Sequence, residues 1–308
     1  MESLKLEARD QDSRRISSVS DYLAIVDNAS NRDFLINGVN GVTFYRGQSD
    51  SKWELSPSLF REGLLDSENV LLTSIRRYRP DDFTGSRLQQ LALLQHYGMP
   101  TRLLDVTTNP LVGLFFACGG PKDADGRVFV FPKMPTSWGS DPFISMVIDF
   151  CFDFCAVKCD LDAVLDQVKS KYSVTPHHIM PDTVKRLLVH LTIPYQFVLP
   201  EWTNPRIGAQ RGAFIVCGMD LLRVEPAISH VDPNKQYYFF GPTSDLYGRL
   251  EKQGTFSLIV PHQYKEDILR QLEAIGIDES SLFPDLPHAI AHTVREVKAR
   301  KLGPHCFS

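Results

Sequence analysis

The strongest constraint on the fold is PLVGLFFAC, residues 110–118, a run with no charged side chain that follows the polar stretch TTN. Thr108 or Asn109 is placed to cap a helix there, with Pro110 at the first helical position. A helix that is apolar all round has no face to give to water, so this one must be buried. The chain is long enough to do that: 308 residues can remove roughly three quarters of their unfolded surface from water without a disulfide or metal staple.

Composition excludes several classes. The chain is 43% hydrophobic and 23% charged, the balance of a globular protein and not of a disordered one. With 33 Lys+Arg against 37 Asp+Glu the net charge is −4, and the densest basic patches are Arg76, Arg77 and Arg79, then Lys298, Arg300 and Lys301. General coating of nucleic acid is therefore not expected. No apolar run reaches the length of a membrane span and the first residues lack the apolar core of a secretory signal, so a cytoplasmic location with no membrane partner is expected. Six cysteines fit a reducing compartment. Cys151, Cys155 and Cys159 recur every four residues, which would stack them on one helical face, but no second half of a zinc pattern accompanies them and no metal is expected.

Periodicity gives a coarse map. Residues 1–20 read as a weakly ordered N-terminal segment, followed by a helix over 20–28 capped by Ser20. A strand is predicted at 42–47 (VTFYRG), helices over 67–78 and 86–97, the second ended by Gly98 and Pro100, and a short apolar segment at 101–106. DADG turns into the strand RVFVFP. Residues 133–200 read as a mainly helical insertion, including LDAVLDQVKSKY and DTVKRLLVHL. Strands AFIVC, QYYFF and TFSLIVP follow, then the helix YKEDILRQLEAIG and a last helix from about Pro287 to Lys301. Helices and strands alternate without a strict βαβ rhythm, so the fold is expected to be α+β, a mixed and mainly antiparallel sheet with surrounding helices. One domain is expected to run as 21–132 and 201–301, split by the insertion at 133–200 and followed by a tail at 302–308. Arg206-Ile207-x-x-Gln210 is echoed by Arg249-Leu250-x-x-Gln253, which reads as two entries into strands with similar chemistry.

Three motifs carry candidate chemistry. In FYRGQSD, Arg46 ends a strand beside Gly47, an arrangement suited to an anion because guanidinium offers fixed donors and stays charged; the competing reading is an internal ion pair. QHYGMPTRLLDVTTNP gathers His96, Tyr97, Arg102, Asp105, Thr107 and Asn109 between two turns. His96 could serve as a general acid or base, and Arg102 with Asp105 could instead form a salt bridge. TNPRIGAQRGAF places Asn204, Arg206 and Gln210 before a strand. No GxGxxG, Walker, GxSxG or HExxH pattern is present.

FYRGQSDSKWELSPSLFR, LALLQHYGMPTRLLDVTTNPLVGLFFAC, DGRVFVF, NPRIGAQRGAF and GIDESSLFPDL together resemble the FRG-domain family, over roughly residues 40 to 288. That family is mostly encountered in bacteria and their mobile elements. The resemblance implies a distant relation to the ADP-ribosyltransferase fold, and with it an enzyme that uses NAD as substrate, of toxin or phage-defence type. The unknown macromolecular acceptor would be a protein or a nucleic acid. Under that resemblance Arg46 takes an early anion-binding place, Gln210 a later one and Arg102 a second phosphate contact, while His96 joins the catalytic candidates through its own acid–base chemistry. The implied contacts to the nucleotide are Arg46, Gly47, Gln48, Tyr97, Thr101, Arg102, Asn109, Asn204 and Arg206. Gln210 stands where many such transferases carry a glutamate and cannot act as a base, so Glu201 or Glu251 would have to supply a carboxylate. A non-catalytic module binding a phosphate-bearing ligand through the same arginines is the alternative. An RNA-directed nuclease using His96 with Arg46 and Arg102 is a third.

Overall fold

The computed structural model describes residues 14–30, 41–154, 158–160, 194–224 and 237–285, with scattered positions after 285. The strands are β1 (Arg14–Arg15), β2 (Val42–Gln48), β3 (Leu103–Thr107), β4 (Gly126–Met134), β5 (Thr136–Trp138), β6 (Lys158–Asp160), β7 (Tyr195–Leu199), β8 (Gly212–Cys217), β9 (Met219–Val224), β10 (Tyr237–Pro242) and β11 (Phe256–Val260). The helices are α1 (Val19–Ser30), α2 (Ser58–Arg61), α3 (Glu68–Tyr78), α4 (Arg87–His96), α5 (Pro110–Cys118), α6 (Pro142–Phe154), α7 (Pro205–Ala209), α8 (Leu246–Glu251), α9 (Lys265–Ala274) and α10 (Glu279–Leu282).

Eight strands form one sheet in the order β1-β11-β4-β2-β3-β8-β7-β5, and β6-β10-β9 form a second, antiparallel sheet. Within the large sheet only the β1–β11 and β5–β7 pairs are parallel. The fold is α+β, with a mixed and mostly antiparallel sheet.

Alternation along each strand divides the core. Tyr45, Val128, Val130, Leu258 and Val260 face α1, α5 and α9, where Tyr22, Leu114, Ala117, Ile268 and Leu272 are buried against them. Phe44, Phe129, Phe131, Val106 and Ile215 pack together with Leu246 and Leu250 of α8. Leu103, Val198, Phe214 and Val216 pack against Leu72 of α3, Leu88 and Leu91 of α4, and Ile144 and Ile148 of α6.

The apolar helix α5 begins as its sequence dictates. Asn109 Oδ1 accepts a hydrogen bond from Leu111 N at 2.9 Å, and Pro110 fills the first position, whose N–H would otherwise lack a partner. The helix lies so close to β2 that two glycines are needed. A Cβ on Gly47 would stand 2.0 Å from the Gly113 carbonyl oxygen, and one on Gly113 would stand 2.9 Å from Tyr45 Cβ. Helix α4 carries a capping box between Ser86 and Gln89 and ends at Gly98, whose φ of 87° suits a residue without a Cβ.

Several expectations need correction. The N-terminal segment is docked from Arg14 onward: β1 pairs with β11, and Ile16 is buried. Residues 133–200 are not only helical, since β5 and β7 are strands of the large sheet and α6 packs in its core; LDAVLDQVKSKY and DTVKRLLVHL lie outside the described residues. The three cysteines do not share a helical face, because α6 ends at Phe154 and Cys159 lies on β6. The final helix lies largely outside the described residues. The Arg206 and Arg249 echo is real in form: a short helix opened by Asn204 or Asp245 precedes a strand in both places.

Candidate functional site

Strands β2 and β3 are neighbours that meet at one register pair, Tyr45 with Thr107, while β2 otherwise follows β4 and β3 follows β8. The sheet splits there, and a cleft of about 360 Å³ opens in the split. Tyr45, Arg46 and Gly47 line it from β2, Asp105 to Thr107 from β3, and Gly212 to Phe214 from β8. The flank of α5 contributes Val112 and Phe116, α4 contributes Gln95 and His96, and the region of α7 contributes Arg206, Ile207 and Gln210. It brings together residues from all three sequence motifs.

The cleft has two cations. Arg46 Nη1 donates to the Asp105 carbonyl oxygen at 2.6 Å, and its Nε is sealed from solvent with no hydrogen-bond partner among the described residues. Burial lowers the pKa of Arg46, opposed by the Asp105 carboxylate and reinforced by Arg61; an arginine so placed remains a cation at neutral pH. Arg206 stacks over the Phe283 ring, 4.7 Å from its centroid. Among the described residues no carboxylate lies within ion-pair distance of either guanidinium.

Against these stands one carboxylate. Asp105 is the exposed position in a strand whose other four residues are buried, and it is open to the cleft. Thr101 Oγ1 donates to Gln95 Oε1, so Gln95 presents its amide nitrogen to Asp105 Oδ1, 2.7 Å away. Thr101 is fully buried and Leu103 N donates to its hydroxyl at 3.2 Å, which fixes the start of the relay. The result is a carboxylate with one oxygen held in place and, among the described residues, no cation in ion-pair distance of its side chain.

The remaining predicted residues separate. Gln210 lines the cleft, but its Nε2 donates to the Leu282 carbonyl at 3.1 Å, and its own carbonyl accepts from Thr107 Oγ1 at 2.7 Å. His96 lines the cleft at the end of α4, edge-on to the Tyr97 ring. Gly47 is there too, where the approach of α5 explains its lack of a side chain.

Six do not line the cleft, and Arg102 is the clearest departure. It is fully buried, its Nε 2.8 Å from Glu68 Oε1 and its Nη1 donating to the Cys217 carbonyl at 2.9 Å, so its partner is Glu68 and not Asp105. A guanidinium sealed in this way ties α3 to β3 and β8 and has no face for a phosphate. Gln48 is buried with its amide on the Glu54 carbonyl, and Tyr97 points to solvent at 79% exposure. Asn109 and Asn204 spend their side chains capping α5 and α7. Thr101 acts at one remove, through Gln95. Of the two guessed carboxylates, Glu201 accepts from Gln89 Nε2 at 2.6 Å and lines a neighbouring cavity, and Glu251 lies on α8.

Sequence reasoning weighed Asp105 only as an ion-pair partner for Arg102 and missed Gln95 as a cleft residue. The signal for Asp105 was present: a lone carboxylate in the middle of the apolar strand LLDVT. For Gln95 it was a polar residue close to the apolar face of α4. Among the described residues no three His, Cys, Asp or Glu side chains are grouped to hold a metal ion, and no helix is long and apolar enough to cross a membrane.

Among known families, the FRG domain model matches residues 42–126. No curated protein and no solved structure matches the chain. The matched span supplies the β2, α4, β3 and α5 sides of the cleft, and the side carrying Arg206 and Gln210 lies beyond it.

Proposed function

We propose, from the premise that this chain carries an FRG domain over residues 42–126, that the cleft binds a nucleotide through its phosphate groups. The observation that carries this reading is that Arg46 and Arg206 both line one cavity with no carboxylate in ion-pair distance among the described residues. Two guanidinium groups held in a half-enclosed site favour an anion with several acceptor oxygens. The lining also includes Tyr45, Phe116 and Phe214, apolar surface suited to a ring. Asp105 then faces the sugar hydroxyls, since a carboxylate accepts hydrogen bonds and repels phosphate.

Calorimetry tests the reading. The wild type should bind ADP, and adenosine should bind at least about tenfold more weakly, because it lacks the groups the arginines grip. Arg206→Ala should lose about as much affinity for ADP with an unchanged fold, since its guanidinium caps a partly exposed ring and holds no strand in place. Equal affinity for ADP and adenosine, or no binding of either, overturns it.

A second reading, ADP-ribosyl transfer from NAD to an acceptor, is favoured by Asp105, a carboxylate beside Arg46 with one oxygen already oriented. In that reaction the bond from ribose to nicotinamide breaks, the acceptor nucleophile takes the ribose carbon, and Asp105 accepts the proton the acceptor gives up. Release of nicotinamide from NAD by the wild type in the presence of cell lysate, lost in Asp105→Asn, supports it. No release by the wild type removes this reading and leaves nucleotide binding intact.

A further inference from the structure

A second cavity adjoins the cleft and has the opposite electrostatic character. It measures about 190 Å³ and shares Ala92 and Ile207 with the cleft as lining residues. Among the described residues its one charged lining residue is Glu201. The carboxylate is held at the wall before any ligand arrives: Glu201 Oε2 accepts from Gln89 Nε2 at 2.6 Å, and Gln89 Oε1 in turn accepts from Ser86 N at 2.8 Å as part of the α4 capping box. That box also occupies Gln89 N with Ser86 Oγ, so the first turn of α4 keeps this donor for itself and does not offer it to an anion.

We propose that this cavity binds a primary ammonium group at the end of an alkyl stem, the chemistry of a lysine side chain. Leu88, Ala92, Pro200 and Ile207 supply apolar lining for the stem. Glu201, with the hydroxyl-bearing residues Ser140 and Thr203, supplies acceptors for the three N–H donors of the ammonium. A phosphate is repelled by Glu201, and a neutral donor gains less from the carboxylate than an ammonium does. Pre-orientation by Gln89 means that the ligand does not have to order the Glu201 side chain. The assignment does not depend on what the cleft binds. Ile207, which lines both spaces, follows Arg206 on α7.

The probe is Nα-acetyl-lysine amide, added to the full chain and followed by ligand-observed saturation-transfer NMR. The wild type should bind it, and the Nζ-acetylated form, which keeps the stem and loses the charge, should bind at least about tenfold more weakly. Glu201→Gln keeps an acceptor for Gln89 but removes the charge, and it should lose the lysine probe by a similar factor while its response to ADP stays that of the wild type. The comparison of the two probes on the wild type stands even if the variant fails to fold. Equal binding of both probes, no binding of the charged one, or undiminished binding by a folded Glu201→Gln protein overturns the proposal. A loss of ADP binding in the wild type, with the lysine probe still bound, removes the nucleotide reading alone.

Discussion

Gly47 and Gly113 meet with no side chain between them, and a Cβ added to Gly47 would fall 2.0 Å from the Gly113 carbonyl oxygen and 2.5 Å from Ala117 N. Both contacts are with backbone, which cannot rotate away. Gly47→Ala must therefore push α5 off β2, and overpacking of this kind costs about 1–3 kcal/mol or more. Urea denaturation should show a lowered midpoint, and the loss should appear without any ligand. An unchanged midpoint would mean that α5 has room to shift and that the glycine serves the cleft instead.

Arg102 and Glu68 should behave as a buried ion pair. Arg102→Met leaves the Glu68 carboxylate buried without its cation and should destabilise the fold by about 3–5 kcal/mol. The double variant Glu68→Met with Arg102→Met removes both charges and should recover much of that loss. Denaturant titration of the two single variants and the double variant gives the coupling, and additive losses would rule the pair out as a unit.

Removing the Thr101 hydroxyl by Thr101→Val keeps its shape but takes away the donor to Gln95 and the acceptor for Leu103 N. Stability should fall by about 1–3 kcal/mol from the orphaned backbone N–H. Gln95 is then free to turn its carbonyl toward Asp105, so ligand affinity should fall as well, although Thr101 does not line the cleft. Calorimetry with ADP, run on a variant shown to be folded, checks the second effect; unchanged affinity would mean that the relay does not matter to the ligand.

The buried thiols define an alkaline limit. Burial pushes Cys118 and Cys217 up to about 12 and Cys151 to about 11, each from an ordinary value of 9.0. A raised pKa in the folded state means that unfolded chains lose these protons first, so the thiol contribution to stability is whole below pH 9 and is lost as the pH climbs toward 11 and 12. Tyr22, raised by its burial, acts in the same sense, while Lys265, lowered mainly by burial, acts in the opposite one. Denaturation midpoints should fall steadily above pH 9, and these three cysteines should resist alkylation at pH 8 until the protein is unfolded. Alkylation of any of them in the native protein would contradict their burial.

Much of the fold was written locally. Ser86 and Gln89 announce the start of α4, Gly98 its end, and Asn109-Pro110 the start of α5, because capping chemistry acts within a few residues. The strands around Phe44, Val128, Ile215 and Ile259 followed from their apolar and β-branched runs. What local chemistry does not encode is partnership across the chain. Arg102 finds Glu68, 34 residues away, and its sequence neighbour Asp105 looks into the cleft instead. Arg14–Arg15 form a strand only because the edge of β11 offers unpaired backbone groups, which no pattern in a two-residue basic segment reveals. Arg46, Arg206 and Gln210 could be read as polar residues near strand ends, but their meeting in one cavity depends on how β2, β3 and β8 are ordered in the sheet.

The single pairing of Tyr45 with Thr107 makes the large sheet two plates joined by one rivet, β1-β11-β4-β2 on one side and β3-β8-β7-β5 on the other. Arg46 rides on the first plate and Arg206, just ahead of β8, travels with the second. An anion gripped by both arginines would act as a cross-tie between plates that the backbone itself scarcely fastens. Such a ligand would add to a side-chain fastening already in place, since Phe44 and Phe131 of the first plate pack on Phe197 of the second.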